Sequence, residues 1–294
     1  LMKNIRIGTR GSALALAQTE IVKNLMLSAD PGLNIEVMVI KTEGDVSTEP
    51  LAVIGGKAVF VKEIENYLLS GGIDMAVHSL KDMQSISPDR LTIAAYLLRE
   101  DPCDMLFSSC GYTIRNLPES ARVGTSSLRR ICQLKNIRPD VQCVEIRGNV
   151  TTRLKRIDKD LDAVILAAAG IKRLGLSTGT AIDLNEMVPS PGQGIIAIET
   201  RQEDEKLNLF LEKLNDPDTR TCALAERGFL ARLGVDCRIP AAAHARIVNN
   251  EISMIAMLAT ADGSHIARTT GRSLTPEIGA VLAETLLEKL GRKS

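Results

Sequence analysis

"NIRIGTRGSALALAQTEIVKNLMLSADPGLNIEVMVI", Asn4 to Ile40, reads as strand, helix, strand. "NIRIG" has the pattern of a short strand, and Ser12 can cap a helix in which Leu14, Ala17, Ile21 and Leu25 share one face. That helix is expected to end near Pro31-Gly32, and "IEVMVI" follows as the next strand. Working outward, "VFVKEIENYLL" is a helix and "DMAVHSL" a further strand. Such a βαβ series implies a mostly parallel sheet, because a parallel neighbour is reached only by a crossover. The connection "KTEGDVSTEPLAVIGGK" is polar, glycine-rich and long for a tight turn, so a mobile loop is expected there.

A second strand-then-helix series begins near Asp101: "DMLFSS", "ARVGTSS" into "SLRRICQLKN", "VQCVEIR" into "NVTTRLKRIDK", and "DAVILAAAG" into "IKRLG". "VPSPGQGIIAIET" then interrupts it with two prolines and two glycines, as a crossover or hinge would. Beyond Pro217 the character changes again. A helix "DTRTCALAERGFLARLG", strands "ISMIAMLATADGSHIARTT" about an Asp262-Gly263 turn, and a last helix "PEIGAVLAETLLEKL" make a small α+β segment.

Composition narrows the function. The 294 residues carry 36 basic and 36 acidic side chains, with no tryptophan and 2% aromatics. Nucleic-acid binders use a basic excess and stacking rings, so nucleic acid is not expected as a partner. No apolar run is long enough to span a bilayer, and "LMKNIRIGTRGS" has no apolar core of a secretory signal, so no membrane association and a cytoplasmic location are expected. The six cysteines form no C-x-x-C pair and the three histidines are scattered, so no metal site is expected.

Within this neutral chain, Val123–Arg153 holds five arginines and only two acids. In open α/β sheets ligands gather at the carboxyl ends of strands, beside helix N-termini. "VGTSSLRR" places Thr125, Ser126 and Ser127 at such a turn, with Arg129 and Arg130 in the first helical turn. "EIRGNVTTR" repeats the arrangement with Arg147 at a strand end, Asn149 as N-cap and Arg153 one turn on. "GTRGS" offers Arg10 and Ser12, and Arg173 follows "DAVILAAAG". Any one of these arginines is read equally well as a solvated helix residue; six together suit a ligand with several carboxylates. Phosphate is left open, although neither a G-x-x-x-x-G-K-[ST] loop nor a G-x-G-x-x-G fingerprint is present.

Asp82, at the end of "DMAVHSLKDM", is either a loop acid paired with Lys81 or an arginine, or the lone carboxylate that a reaction with a cationic intermediate needs. Cys237, in "RLGVDCRIP", sits in a loop between Asp236 and Arg238, a setting for a nucleophile or an attachment point.

The motifs "IRIGTRGSALALAQ", "GGKAVFVKEIE", "DMAVHSLKDM", "REDPCD", "VGTSSLRRICQL", "IRGNVTTRL", "LAAAGIKRLGL", "PGQG" and "LGVDCRIP" occur in the order and spacing of the porphobilinogen deaminase family, which the chain resembles from about Ile5 onward. The resemblance implies a hydroxymethylbilane synthase: four porphobilinogen molecules joined head to tail into a linear tetrapyrrole, with release of ammonia. It also implies a dipyrromethane cofactor attached by a thioether, here to Cys237. Asp82 matches the catalytic aspartate. Arg10, Arg129, Arg130, Arg147, Arg153 and Arg173 match the carboxylate binders, with Ser12, Lys81, Thr125, Ser126 and Ser127 beside them. Gly55, Gly56 and Lys57 match a moving loop, and Gln193 lies in the hinge. Ala58 stands where a third glycine is usual.

The fold so implied is α/β: two periplasmic-binding-protein-like domains flanking a cleft, plus a small C-terminal α+β domain. The expected division is residues 1–97 with 195–213, residues 98–194, and residues 214–294. A monomer is expected, taking porphobilinogen as substrate and passing its product to uroporphyrinogen III synthase. The alternative is a non-catalytic two-domain binder of a small dicarboxylate.

Overall fold

The computed structural model describes residues 4–41, 61–177, 179–234 and 239–291. The chain runs β1 (Asn4–Thr9), α1 (Ala13–Ala29), β2 (Asn34–Val39), α2 (Lys62–Leu69), β3 (Met75–Ser79) and β4 (Leu91–Tyr96). It continues through β5 (Asp104–Phe107), β6 (Arg122–Gly124), α3 (Leu128–Ile137), β7 (Gln142–Val144), α4 (Val150–Leu154), β8 (Ala163–Ala167), α5 (Ala168–Arg173) and β9 (Thr180–Ala181). Then come β10 (Ile196–Arg201), α6 (Glu205–Leu211), α7 (Pro217–Leu233), β11 (Ala241–Val248), β12 (Glu251–Ala259), β13 (Ile266–Ser273) and α8 (Ile278–Lys289). Two compact units result, Leu1–Arg99 with Ile195–Ala223, and Glu100–Gly194 with Leu224–Ser294.

The first unit is built on a five-stranded sheet in the order β2-β1-β3-β10-β4. β1 pairs in parallel with β2 and β3, and only β10 runs the other way, so the βαβ expectation of a mostly parallel sheet holds. Ile5, Ile7, Met75, Val77 and Ile198 fill one face against Val22 and Met26 of α1 and Leu207 and Leu211 of α6. Ile40, Ile73 and Ala76 fill the other against Ile64 and Leu68 of α2. Each such side chain contributes about 1.5–3 kcal/mol on burial, which is why both faces are covered. Gly8 leaves room for this packing: a Cβ there would meet Ile73 Cδ1 at 2.3 Å, so the Ile73 side chain would have to shift.

α1 is rotated from its expected orientation. Its buried residues are Gln18, Thr19, Val22 and Met26, while Ile21 and Leu25 are exposed. The helix is apolar almost all round, so periodicity does not orient it; internal partners for its polar residues do. Gln18 Nε2 donates to Ser79 Oγ at 2.8 Å, and Thr19 Oγ1 to the Ala15 carbonyl at 2.9 Å.

The second unit repeats the strand order in its own sheet, β7-β6-β8-β5-β9, again with one reversed strand, β5. Val123, Ala163, Ile165 and Leu134 pack on one face, and Phe107, Val164, Leu166 and Ile171 on the other. The same unit carries a three-stranded antiparallel sheet, β11-β12-β13. Its Ala242, Met257 and Ala259 pack on Cys132 of α3 and on Val188. The alanine-rich β11 has little strand propensity and was not legible as a strand. α8 crosses α7 so closely that a Cβ on Gly279 would lie 1.9 Å from the Ala225 carbonyl oxygen. The α/β class and the small third sheet are therefore as expected. Among the described residues no helix is long and apolar enough to cross a membrane.

Candidate active site

In the first unit the expected residues lie where β1 and β3, hydrogen-bonded neighbours, reach their carboxyl ends. Arg10 follows β1 directly, and Ser12 is the N-cap of α1, its hydroxyl accepting from the Ala15 N–H at 3.2 Å. Lys81 and Asp82 form a single 3₁₀ turn, Leu80–Asp82, at the end of β3. The turn is anchored by Leu80 N–H donating to the Ile195 carbonyl on the strand side, 3.0 Å, and Met83 N–H closing back to Leu80, 3.1 Å. Asp82 is thus half-buried on a short rigid turn, the kind of support that a group needing fixed geometry requires.

The second unit holds the other set. Thr125, Ser126 and Ser127 form the β6–α3 turn as expected, but their polar groups serve the turn itself. Thr125 N–H donates to the Val144 carbonyl at 2.9 Å, and Ser126 bonds both the N–H and the carbonyl of Ile146. These contacts tie the turn to the segment that leads to Arg147. Asn149 caps α4 as expected, accepting from Thr152 N–H at 2.8 Å. Arg153 Nε donates to the Gly148 carbonyl at 2.8 Å, and the exposed Arg147 lies 3.2 Å from Glu145.

Arg129 and Arg130 are not solvated helix arginines. Their residues are only 6% and 8% exposed, and both close on the fully buried Asp104, at 2.8 and 2.7 Å. Arg129 Nη1 also donates to the Val188 carbonyl at 2.7 Å, and Arg130 Nη1 to that of Ile165 at 3.0 Å. Burial works against the Asp104 carboxylate, yet the two guanidinium charges outweigh it and hold its pKa well below the usual range. Burial also lowers the pKa of Arg129. Two cations share one carboxylate, so this centre keeps a surplus of guanidinium charge in a place of low dielectric.

The crossover completes the arrangement. Gln193 Nε2 donates to Asp104 Oδ1 at 2.9 Å and to the Pro102 carbonyl at 2.7 Å. Arg173 Nη2 donates to the Gly194 carbonyl at 2.6 Å, and burial lowers the Arg173 pKa to about 10. Gly192 N–H donates to Glu226 of α7 at 2.6 Å, and the same carboxylate takes the Ala245 N–H of β11 at 2.7 Å. Arg129, Arg130, Arg173 and Gln193 therefore meet around Asp104 and residues 188–194, whereas Arg147 and Arg153 sit at the α4 turn.

Asp104, Gln133 and Glu226 carry no role in the sequence reading. Asp104 closes the motif "REDPCD", but a carboxylate opening a strand looks like any turn acid until its partners are seen. Gly55, Gly56, Lys57 and Cys237 lie outside the described residues. Of the described thiols, burial and then Asp101 push Cys103 up to about 12, and burial raises Cys132 and Cys143, so none of these three is a ready nucleophile.

Two family models match the chain: porphobilinogen deaminase, dipyromethane cofactor binding domain, over residues 5–209, and porphobilinogen deaminase, C-terminal domain, over residues 220–288. A porphobilinogen deaminase of Syntrophomonas wolfei is 44% identical over 99% of this chain and 97% of its own length. One of Roseiflexus sp. (strain RS-1) is 43% identical over 99% and 98%. Likeness among solved structures is distant: an ancestral cationic amino acid solute binding protein matches at 12% identity with a TM-score of 0.47, over 72% of this chain and 87% of that one. On the two family models and the near-full-length relatives, this chain belongs to the porphobilinogen deaminase family.

Proposed function

We propose how this chain carries out the hydroxymethylbilane synthase reaction of its family, in which porphobilinogen units are condensed on a dipyrromethane cofactor. The observation that carries the assignment is the pair Arg129 and Arg130 on the single carboxylate of Asp104. A ligand bearing an acetate and a propionate on every pyrrole brings the anions that this surplus of guanidinium lacks, so the residues present fit the cofactor. When bound, the dipyrromethane supplies the free pyrrole carbon to which the next unit is added.

The residue roles follow from placement and from the family motifs. Arg129, Arg130 and Arg173 bind carboxylates at the buried end, and Arg147 and Arg153, with more exposed guanidinium groups, bind those of later pyrroles. Thr125, Ser126 and Ser127 shape the turn that presents Arg129 and Arg130. Arg10 and Ser12, with Lys81, bind side-chain carboxylates from the first unit. Asp82 accepts hydrogen bonds from pyrrole N–H groups and stabilises positive charge as ammonia leaves. Cys237 forms the thioether. Gly55, Gly56 and Lys57 match the family's loop motif, and Gln193 holds the crossover against Asp104.

In this reading residues 1–97 with 195–213 carry the catalytic aspartate, 98–194 the arginines and 214–294 the attachment point. The chain works as a cytoplasmic monomer, and its labile linear product is handed to uroporphyrinogen III synthase. The dicarboxylate binder is not favoured, since the relatives that match nearly full length bear the enzyme's name.

Intact mass tests the attachment: purified protein should exceed its 31.8 kDa chain mass by two pyrrole units, and Cys237→Ala should not. Asp82→Asn should retain that adduct and lose turnover by roughly 100-fold or more, measured as uroporphyrin I formed from porphobilinogen. Near-normal turnover in Asp82→Asn removes the catalytic role of Asp82.

A further inference from the structure

Gln133 is a fully buried amide one helical turn beyond Arg129 on α3. Its oxygen accepts from Val188 N–H at 2.8 Å, and its nitrogen donates to the Val188 carbonyl at 3.0 Å and the Arg129 carbonyl at 3.2 Å. A single side chain thus grips both polar groups of one residue in the crossover. The gripped carbonyl is the one that receives Arg129 Nη1. From the third sheet, Arg268 Nη2 donates to the Gln133 oxygen at 3.1 Å and to the Glu186 carbonyl at 3.0 Å. Arg268 Nη1 adds a bond to the Asn185 carbonyl.

We propose that Gln133 is a positioning residue for Arg129, and that Arg268 orients Gln133, so that the third sheet sets the aim of a carboxylate-binding guanidinium. This rests on the proposed role of Arg129 in binding pyrrole carboxylates. The physical reason is the shared carbonyl. Arg129 Nη1 donates to the Val188 carbonyl and stands 2.8 Å from Asp104 Oδ2 as an ion pair, and together the two contacts favour one orientation of the fork. Asp104 is common to Arg129 and Arg130 and does not distinguish them, whereas the Val188 carbonyl serves Arg129 and is placed by Gln133. Methionine has nearly the same volume as glutamine and can fill the site without any of these hydrogen bonds, so its effect reports on hydrogen bonding rather than on a cavity. Glutamate keeps the acceptor for Val188 N–H and for Arg268 but loses the donor to the carbonyls.

The test uses the full-length, cofactor-carrying enzyme, with adduct content read by intact mass and the KM for porphobilinogen read alongside kcat. Gln133→Met should raise KM by roughly 5- to 10-fold, the loss of about one buried hydrogen bond, with kcat changed less than KM. In an Arg129→Lys background the same substitution should add less than about twofold, because a side chain without the fork has no aim left to lose. Gln133→Glu should raise KM in the same direction, and it provides the reading if Gln133→Met fails to fold. An unchanged KM in the folded variant, or a full effect repeated in Arg129→Lys, overturns the inference. If Arg129→Lys itself has normal KM and adduct content, the failure lies in the assigned role of Arg129.

Discussion

The two five-stranded sheets share a strand order and each contains one reversed strand, yet they bury opposite charge. The reversed strand of the first, β10, carries Glu199, whose Oε2 lies 3.2 Å from His78 Nε2 with both residues buried. Glu65 of α2 joins them, so two carboxylates face one imidazole. The reversed strand of the second, β5, carries Asp104, and two arginines face one carboxylate. A scaffold of this kind dictates where a buried ionisable group can sit, while the residue types at those places decide which sign of ligand is favoured nearby. The positive surplus lies beside the arginines proposed to bind carboxylates. The acidic group sits on the sheet whose β3 leads into Lys81 and Asp82.

The largest effect should come from matched substitutions of the two reversed strands. Asp104→Asn leaves two buried guanidiniums without a counter-charge and should cost about 3 kcal/mol in urea unfolding, together with loss of adduct. Glu199→Gln removes one of two neighbouring carboxylates, so relief of repulsion on Glu65 offsets the lost His78 partner, and a cost below about 1 kcal/mol is expected. Equal costs would break the contrast.

A smaller effect separates the sheets by pH. Burial, then the Glu199 charge, raises the Glu65 pKa to about 7, with His78 and Lys62 acting the other way. A raised folded-state pKa contributes stability that is fully present below the ordinary glutamate value and is lost as pH rises through about 7. The depressed Asp104 pKa contributes stability that persists at all higher pH and is lost only in strong acid. Amide exchange, corrected for its intrinsic pH dependence, should therefore show α2, β3 and β10 opening more readily at pH 8 than at pH 5, with β5 and α3 unchanged. Glu65→Gln should abolish the difference.

The smallest effect is expected at the rim. Arg147 and Glu145 are both exposed, and Arg147→Gln should change stability by less than about 0.5 kcal/mol. Turnover lost by that variant would report on ligand binding rather than on the fold.

Much of this molecule was legible in its residues. Asn149 and Ser12 are the caps their positions indicate, and the Asp262-Gly263 turn joins β12 to β13. Those features follow from local rules acting over three or four residues. The orientation of α1 was not legible, since a helix with leucine and alanine on every side offers no single face, and the sheet chose the one whose Gln18 reaches Ser79.

By itself the sequence determined the alternation of strands and helices, the clustering of arginines at strand ends and the family, because each is written in short-range pattern and residue type. Only the tertiary structure decided which arginines are buried, what they lean on and which residues aim them. Asp104 lies 25 and 26 positions from its two arginines, and Val188 lies 55 from Gln133. Contacts closed over such separations depend on how the sheets and the crossover pack, and no local periodicity encodes that.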